Sequence, residues 1–175
     1  RYEFLQKFLK ESRQFGAQRR ASESLAVSMA LKNMANTAGY ADVTRLTLAM
    51  ESELVKSYEP YFEEQEIDGV MLNLHTDENG KTQIICQKGG KQQKSVPAKL
   101  KKHEYYLKLK EIEKKLKDQY SRTVKMFEQS MEERELYQYQ ELRLLCENPV
   151  IEPVISSLVF ITEEEMLAHG WMQGE

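Results

Sequence analysis

A mainly helical α+β fold, with helices packed around a small antiparallel hairpin sheet and one long helix over about residues 98–131, follows from three patterns in the sequence. Apolar residues recur every three to four positions through residues 1–58, a period that a helix gathers onto one face. Between 65 and 96 the period drops to two, and the pairs Asn79-Gly80 and Gly89-Gly90 punctuate it as hairpin turns do. From Ala98 the helical period returns and persists for about seven turns.

In the first segment Phe4, Leu5, Phe8 and Leu9 share one helical stripe, which Gly16 is placed to end. A second helix is expected from about Ser22 to Ala38, where Leu25, Met29 and Met34 with Ala26 and Ala30 form a narrow apolar face suited to close packing. Gly39 is its natural left-handed cap. Asp42 then reads as an N-cap, and Val43, Leu46, Met50 and Leu54 carry a third helix to about Val55.

In the middle segment Val70, Leu72 and Leu74 alternate between Ile67 and His75, and Ile84, Ile85 and Cys86 lie in a return strand. With Asn79 and Gly80 as a two-residue loop, Leu74 faces Ile85 and Cys86 faces Asn73. This register puts Val70, Leu72, Leu74 and Ile85 on one face, and Met71, Asn73, His75, Ile84 and Cys86 on the other. Gly89 and Gly90 turn the chain into a short third strand within Lys91 to Val96, which Pro97 stops. A hairpin alone is marginal in water, so the sheet must lean on the helices.

Tyr105, Leu109, Ile112, Leu116, Tyr120, Val124, Phe127 and Met131 then step by three or four residues along one stripe. At about 1.5 Å per residue such a helix reaches about 50 Å, long enough to project or to meet further parts of a parent protein. Tyr137 to Cys146 reads as another helix, halted at Asn148-Pro149, and Ile151 to Leu158 as a short helix or extended run. Leu158 to Ile161 suits a strand, and Glu163 to Glu175 is weakly patterned, with Glu163-Glu164-Glu165 as a helix start. One α-rich domain over 1–175 is the expected organisation, an internal piece of a longer protein, since the chain opens at Arg1 in mid-pattern.

With 41% hydrophobic and 30% charged residues and few Gly or Pro, the chain is neither disordered nor low in complexity. No apolar run nears the roughly 18 residues needed to cross a bilayer, so a cytoplasmic protein without a membrane partner is expected. Two cysteines, Cys86 and Cys146, are too few for a disulfide framework. Charge is segregated: residues 81–125 hold 14 basic and 4 acidic side chains, whereas 51–80 hold 1 and 9 and 126–175 hold 2 and 11. Such blocks either satisfy each other on folding or mark a surface for nucleic acid or an acidic partner.

The best candidates for that surface are Lys101, Lys102, Lys108, Lys110, Lys114, Lys115 and Lys117, which could meet backbone phosphates. Against this, the segment is nearly free of Arg, and Tyr105 and Tyr120 belong to the inward stripe, so base readout and stacking are both missing. Cys86 and His75 fall on the same predicted hairpin face, the one arrangement that resembles a nucleophile with a base, but a lone strand cysteine usually acts as a small hydrophobe. His75, His103 and His169 stand in three different elements without metal-ligand spacing, and no cofactor is implied. Asp77-Glu78-Asn79-Gly80 lacks the ligand alternation of a calcium loop, and Lys88-Gly89-Gly90-Lys91 lacks the following helix of a phosphate loop; both read as turns.

Three stretches carry a family likeness: Ala38-Gly39-Tyr40-Ala41-Asp42-Val43-Thr44-Arg45-Leu46 with Ala49-Met50-Glu51, then Lys94-Ser95-Val96-Pro97-Ala98-Lys99-Leu100-Lys101-Lys102, and Asn148-Pro149-Val150-Ile151-Glu152-Pro153 to Leu158-Val159-Phe160. Over about residues 15–161 they resemble a bacterial domain of unknown function in large MolR-like proteins, named as molybdate metabolism regulators and often linked to WGR modules. The resemblance implies a large cytoplasmic regulator-like protein and supplies no catalytic residues. The expected function is a non-catalytic interaction or scaffold module that binds other domains of its parent or protein partners. The alternative is a nucleic-acid-binding regulatory domain using the lysine face, and a Cys86-dependent enzyme is a distant third.

Overall fold

A computed structural model of the chain describes residues 1–161 and 169–171. The architecture is α+β and mainly helical, with a small antiparallel sheet and one long helix. The chain forms two compact units, Arg1–Glu51 and Ser52–Glu175, and the boundary falls within the third helix.

In the first unit, α1 (Tyr2–Glu11) runs into a 3-10 turn at Ser12–Gln14, and α2 (Ala17–Ala38) packs against it. Gly16 does not end α1. It is extended, at φ −61° and ψ 160°, and serves as the N-cap of α2. The reversal comes earlier because the Ser12 hydroxyl donates to the Leu9 carbonyl at 2.7 Å and tightens the last turn. The buried stripe of α2 is Val27, Leu31 and Ala35, not the predicted one; Leu25 and Met29 are 63% and 59% exposed. The helix has apolar residues on two faces, and periodicity alone does not say which turns inward.

Gly39 takes φ +80°, and the Tyr40 N–H closes on the Ala35 carbonyl at 2.9 Å, a Schellman ending. Asp42 caps α3 (Val43–Lys56): its Oδ1 accepts the Arg45 N–H at 2.8 Å and its other oxygen pairs with the Arg45 guanidinium. Leu46 and Leu48 are buried, and the Tyr2 hydroxyl donates to buried Glu51 at 2.7 Å.

The second unit is built on a four-stranded meander, β1 (Gln65–Ile67), β2 (Val70–Thr76), β3 (Thr82–Lys88) and β4 (Lys91–Gln92), in sequential order. Two of its turns hold both loop residues at positive φ, Asp68-Gly69 at 53° and 73° and Gly89-Gly90 at 56° and 73°. These are the primed turns whose twist suits a hairpin. The β1 strand is absent from the sequence expectation, although Asp68-Gly69 is the signal for it.

The β2–β3 register differs from the predicted one by a single residue: Leu74 faces Ile84, Leu72 faces Cys86 and Thr76 faces Thr82. The cause is the loop. Asn79 stays out of positive φ, Gly80 takes φ +74°, and the Gly80 N–H bonds the Asp77 carbonyl at 2.9 Å, which makes a three-residue loop. Asp77 Oδ1 fixes it by accepting the N–H groups of Asn79 and Lys81, each at 2.9 Å. The slip moves Ile84 and Cys86 to the dry face with Val70, Leu72 and Leu74, and leaves Ile85 and His75 on the other.

After a 3-10 turn at Leu100–Lys102, α4 (Glu104–Glu133) spans about 45 Å and packs on the dry face of the sheet. It starts later than expected because the 98–102 stretch takes the tighter turn and His103 Nδ1 accepts the Tyr105 N–H at 3.2 Å as the cap. Leu109, Ile112 and Leu116 are at most 1% exposed and form the core with Leu72, Leu74 and Val150. Gln119, Thr123, Phe127 and Ser130 are buried as well, so the covered stripe of the helix continues to Ser130, one residue before Met131 at 60% exposure.

Arg134 ends α4 at φ 55°. Next come α5 (Tyr139–Leu145), opened by a Gln138–Glu141 capping box, α6 (Glu152–Ser156) with Pro153 in its first turn, and a ladder of β5 (Phe160–Ile161) with β6 (His169–Gly170). The expected helix start at Glu163-Glu164-Glu165 lies outside the described residues.

Candidate interaction surface

Four of the seven lysines proposed for phosphate contact are arranged in two ion-pair ladders on either flank of the buried stripe of α4. Glu111 sits between Lys108 and Lys115, with both Nζ atoms at 3.2 Å. Glu113 sits between Lys110 at 2.8 Å and Lys117 at 2.9 Å. Each carboxylate thus has a lysine three residues before it and another four residues after it, the spacings at which helix side chains meet. Lys115 also donates to the Tyr58 hydroxyl at 3.4 Å and lies 5.8 Å from that ring's centre. Lys101, Lys102 and Lys114 are exposed, and no carboxylate partner is found for them among the described residues. Much of the positive charge is therefore committed within the helix.

The ladders lower both carboxyl pKa values. At Glu113 burial pushes upward, and the hydrogen bonds from Lys110 and Lys117 outweigh it; at Glu111 the Lys115 hydrogen bond leads. A depressed folded pKa gives stability that is present above the unperturbed value of 4.5 and lost as pH falls through the folded value. The urea midpoint should accordingly fall as pH drops below 4.5. A double Glu111→Gln, Glu113→Gln variant should show a shallower fall; an identical slope would show that the ladders add nothing.

The corrected register separates the one nucleophile-and-base candidate. Cys86 points to the dry face, 3% exposed, and His75 to the opposite face. Burial pushes the Cys86 thiol pKa up, away from the reactive thiolate. Cys86 should resist thiol reagents in the folded chain and label only on unfolding; fast labelling under native conditions would contradict this placement. His103 is spent as a helix cap, and the side chain of His169 lies outside what is described. Among the described residues no cluster of three or more His, Cys, Asp or Glu side chains is poised around one metal ion, and no helix is long and apolar enough to cross a membrane.

The three stretches of the family likeness have structural tasks. Gly39 and Asp42 separate two helices, Val96 and Leu100 are buried beneath the start of α4, and Asn148 is 3% exposed. Asn148 Oδ1 accepts the Val150 N–H at 2.9 Å, and its amide reaches the Ser52 hydroxyl at 3.4 Å.

Among the described residues two surfaces offer features for recognition. In the first unit Leu25 and Met29 stand one turn apart on the outer face of α2, and Phe4 is 68% exposed. In the second unit a cleft of about 490 Å³ opens between the end of α3, the far end of β2 and the Glu147-Asn148-Pro149 turn. Sequence periodicity does not reveal the cleft, because its wall is assembled from four separate segments.

Comparison with known sequences gives two partial matches. A family of unknown function (DUF5724) matches residues 1–50, the first unit to within one residue, and a domain of unknown function (DUF4132) matches residues 90–173. No curated protein and no solved structure is significantly similar to the chain. The chain is similar, in two separate stretches, to families whose function is unknown.

Proposed function

We propose that the chain is a non-catalytic interaction or scaffold module of a large cytoplasmic bacterial protein of the MolR-like regulator type, and that it binds neighbouring domains of that protein through helix surfaces. The observation that carries this reading is the second apolar stripe of α2. A helix with one covered face needs only one apolar stripe, yet Leu25 and Met29 lie opposite Val27, Leu31 and Ala35 and face solvent. Two large side chains one turn apart are the anchors that a helix offers to a groove. The molybdate-regulator and WGR context rests on the likeness of the three stretches alone.

Hydrogen–deuterium exchange of the isolated chain and of its full-length parent tests this. Amides around Leu25 to Met29 should be protected in the parent, and Leu25→Glu with Met29→Glu should remove that protection. Equal exchange in both proteins would refute the reading.

The second reading is a nucleic-acid-binding regulatory domain, favoured by the exposure of Lys101, Lys102 and Lys114. It ranks lower because Lys108, Lys110, Lys115 and Lys117 already hold carboxylates. Binding to generic duplex DNA that weakens steeply with salt and is lost on changing Lys101, Lys102 and Lys114 to Glu would favour it; no binding at low salt would end it.

A further inference from the structure

The cleft in the second unit lies along a strand edge that the sheet leaves open. β1 stops at Gln65, opposite Leu72, so among the described residues Asn73 to Thr76 of β2 have a neighbouring strand only on the β3 side. Which main-chain groups face the open side follows from two bonds. The Asp77 N–H donates to the Lys81 carbonyl at 3.1 Å, toward β3, whereas the Cys86 carbonyl accepts the Gln93 N–H at 2.8 Å, away from β2. The alternation of an antiparallel ladder then turns the N–H and C=O groups of Leu74 and Thr76 away from β3. The Asn73 amide covers the near end, donating to the carbonyls of Phe62 at 3.2 Å and Leu74 at 3.1 Å. Thr76, at the far end, lines the cleft, and among the described residues no hydrogen bond reaches its main chain from the open side.

The rest of the cleft has a consistent chemistry. Val55, Phe62 and Pro149 give it apolar walls, and Glu59 and Glu147 bring carboxylates to it. Lys56, the one Lys or Arg among the described residues that line it, is shared between Glu53 at 3.7 Å and Glu147 at 3.6 Å. The surrounding segment 51–80 holds nine acidic side chains against one basic, so the local field favours a positive occupant.

We infer that this cleft binds a short extended peptide segment with basic side chains, which pairs with the Thr76 end of β2 and sets its cations against Glu59 and Glu147. This is strand addition at a sheet edge: main-chain bonds give register, while the apolar walls and carboxylates select alternate side chains. The inference deepens the interaction-module reading and names a second surface, separate from the outer stripe of α2.

The test uses the full chain and two fluorescein-labelled hexapeptides, one alternating arginine and valine, the other glutamate and valine. The basic peptide should bind, with amide NMR shifts concentrated at Leu74, His75 and Thr76, and the acidic one should not. Glu59→Lys with Glu147→Lys should weaken binding at least about tenfold at low salt while leaving the circular dichroism spectrum unchanged. Equal binding of both peptides, shifts confined to other regions, or undiminished binding by the double variant would each overturn the inference. Protection of α2 in the parent protein is read separately, so a silent cleft with a protected α2 sinks this proposal and spares the other.

Discussion

Ile112→Ala should cost about 2 to 5 kcal/mol, a large share of the roughly 5 to 15 kcal/mol that holds a typical domain folded. Ile112 is fully buried where α4 crosses the dry face of the sheet, in one cluster with Leu72, Leu74, Cys86 and Val150. Truncation removes apolar contact from both layers and leaves a void that neither the helix nor the paired strands can close. A urea titration should show a lowered midpoint with an unchanged slope. Met131→Ala is the control: it continues the same sequence stripe, but at 60% exposure it should shift stability by no more than about 0.5 kcal/mol. Equal losses at the two sites would mean that α4 does not pack as described.

Gly80→Val should be comparably damaging for a different reason. Gly80 sits at φ +74°, where a residue with a Cβ loses about 1 to 2 kcal/mol. Its Cβ would also meet the Tyr120 ring at 3.0 Å and the Val150 carbonyl at 3.1 Å, and overpacking of this kind adds about 1 to 3 kcal/mol. Gly89→Val separates the two contributions, because Gly89 is also left-handed, at φ +56°, but nothing stands within 4 Å of a Cβ there. If both variants unfold at the same urea concentration, the contact between the loop and α4 carries no energy.

Much of this fold is legible from local chemistry. Gly39 and Asp42 announce a helix end and a helix start, and both do that work through backbone bonds within a few residues. The central stripe of α4 is equally plain, since only a helix brings Leu109, Ile112 and Leu116 together. The sheet register is less so. Asn79-Gly80 favours a two-residue loop, but the Asp77 carboxylate binds two amides and stabilises a three-residue one, a competition that turn statistics do not resolve.

The candidate surfaces divide in the same way. The two ladders are present in the sequence as Lys108-Glu111-Lys115 and Lys110-Glu113-Lys117, and counting lysines alone conceals them. Which stripe of α2 faces outward depends on how α1 packs against it, and the existence of the cleft on segments far apart in the chain. A pattern within one element cannot encode them.

The serial order of β1 to β4 also bears on how the second unit assembles. Among the described residues each of these strands pairs only with its sequence neighbours, across loops of a few residues, so the meander closes no long chain segments. Hairpins of this kind form within about 1 to 10 μs, whereas distant pairings wait on slow loop closure. The ribbon thus asks for little loop closure of its own, and its oily side is sealed only when α4 is laid across it.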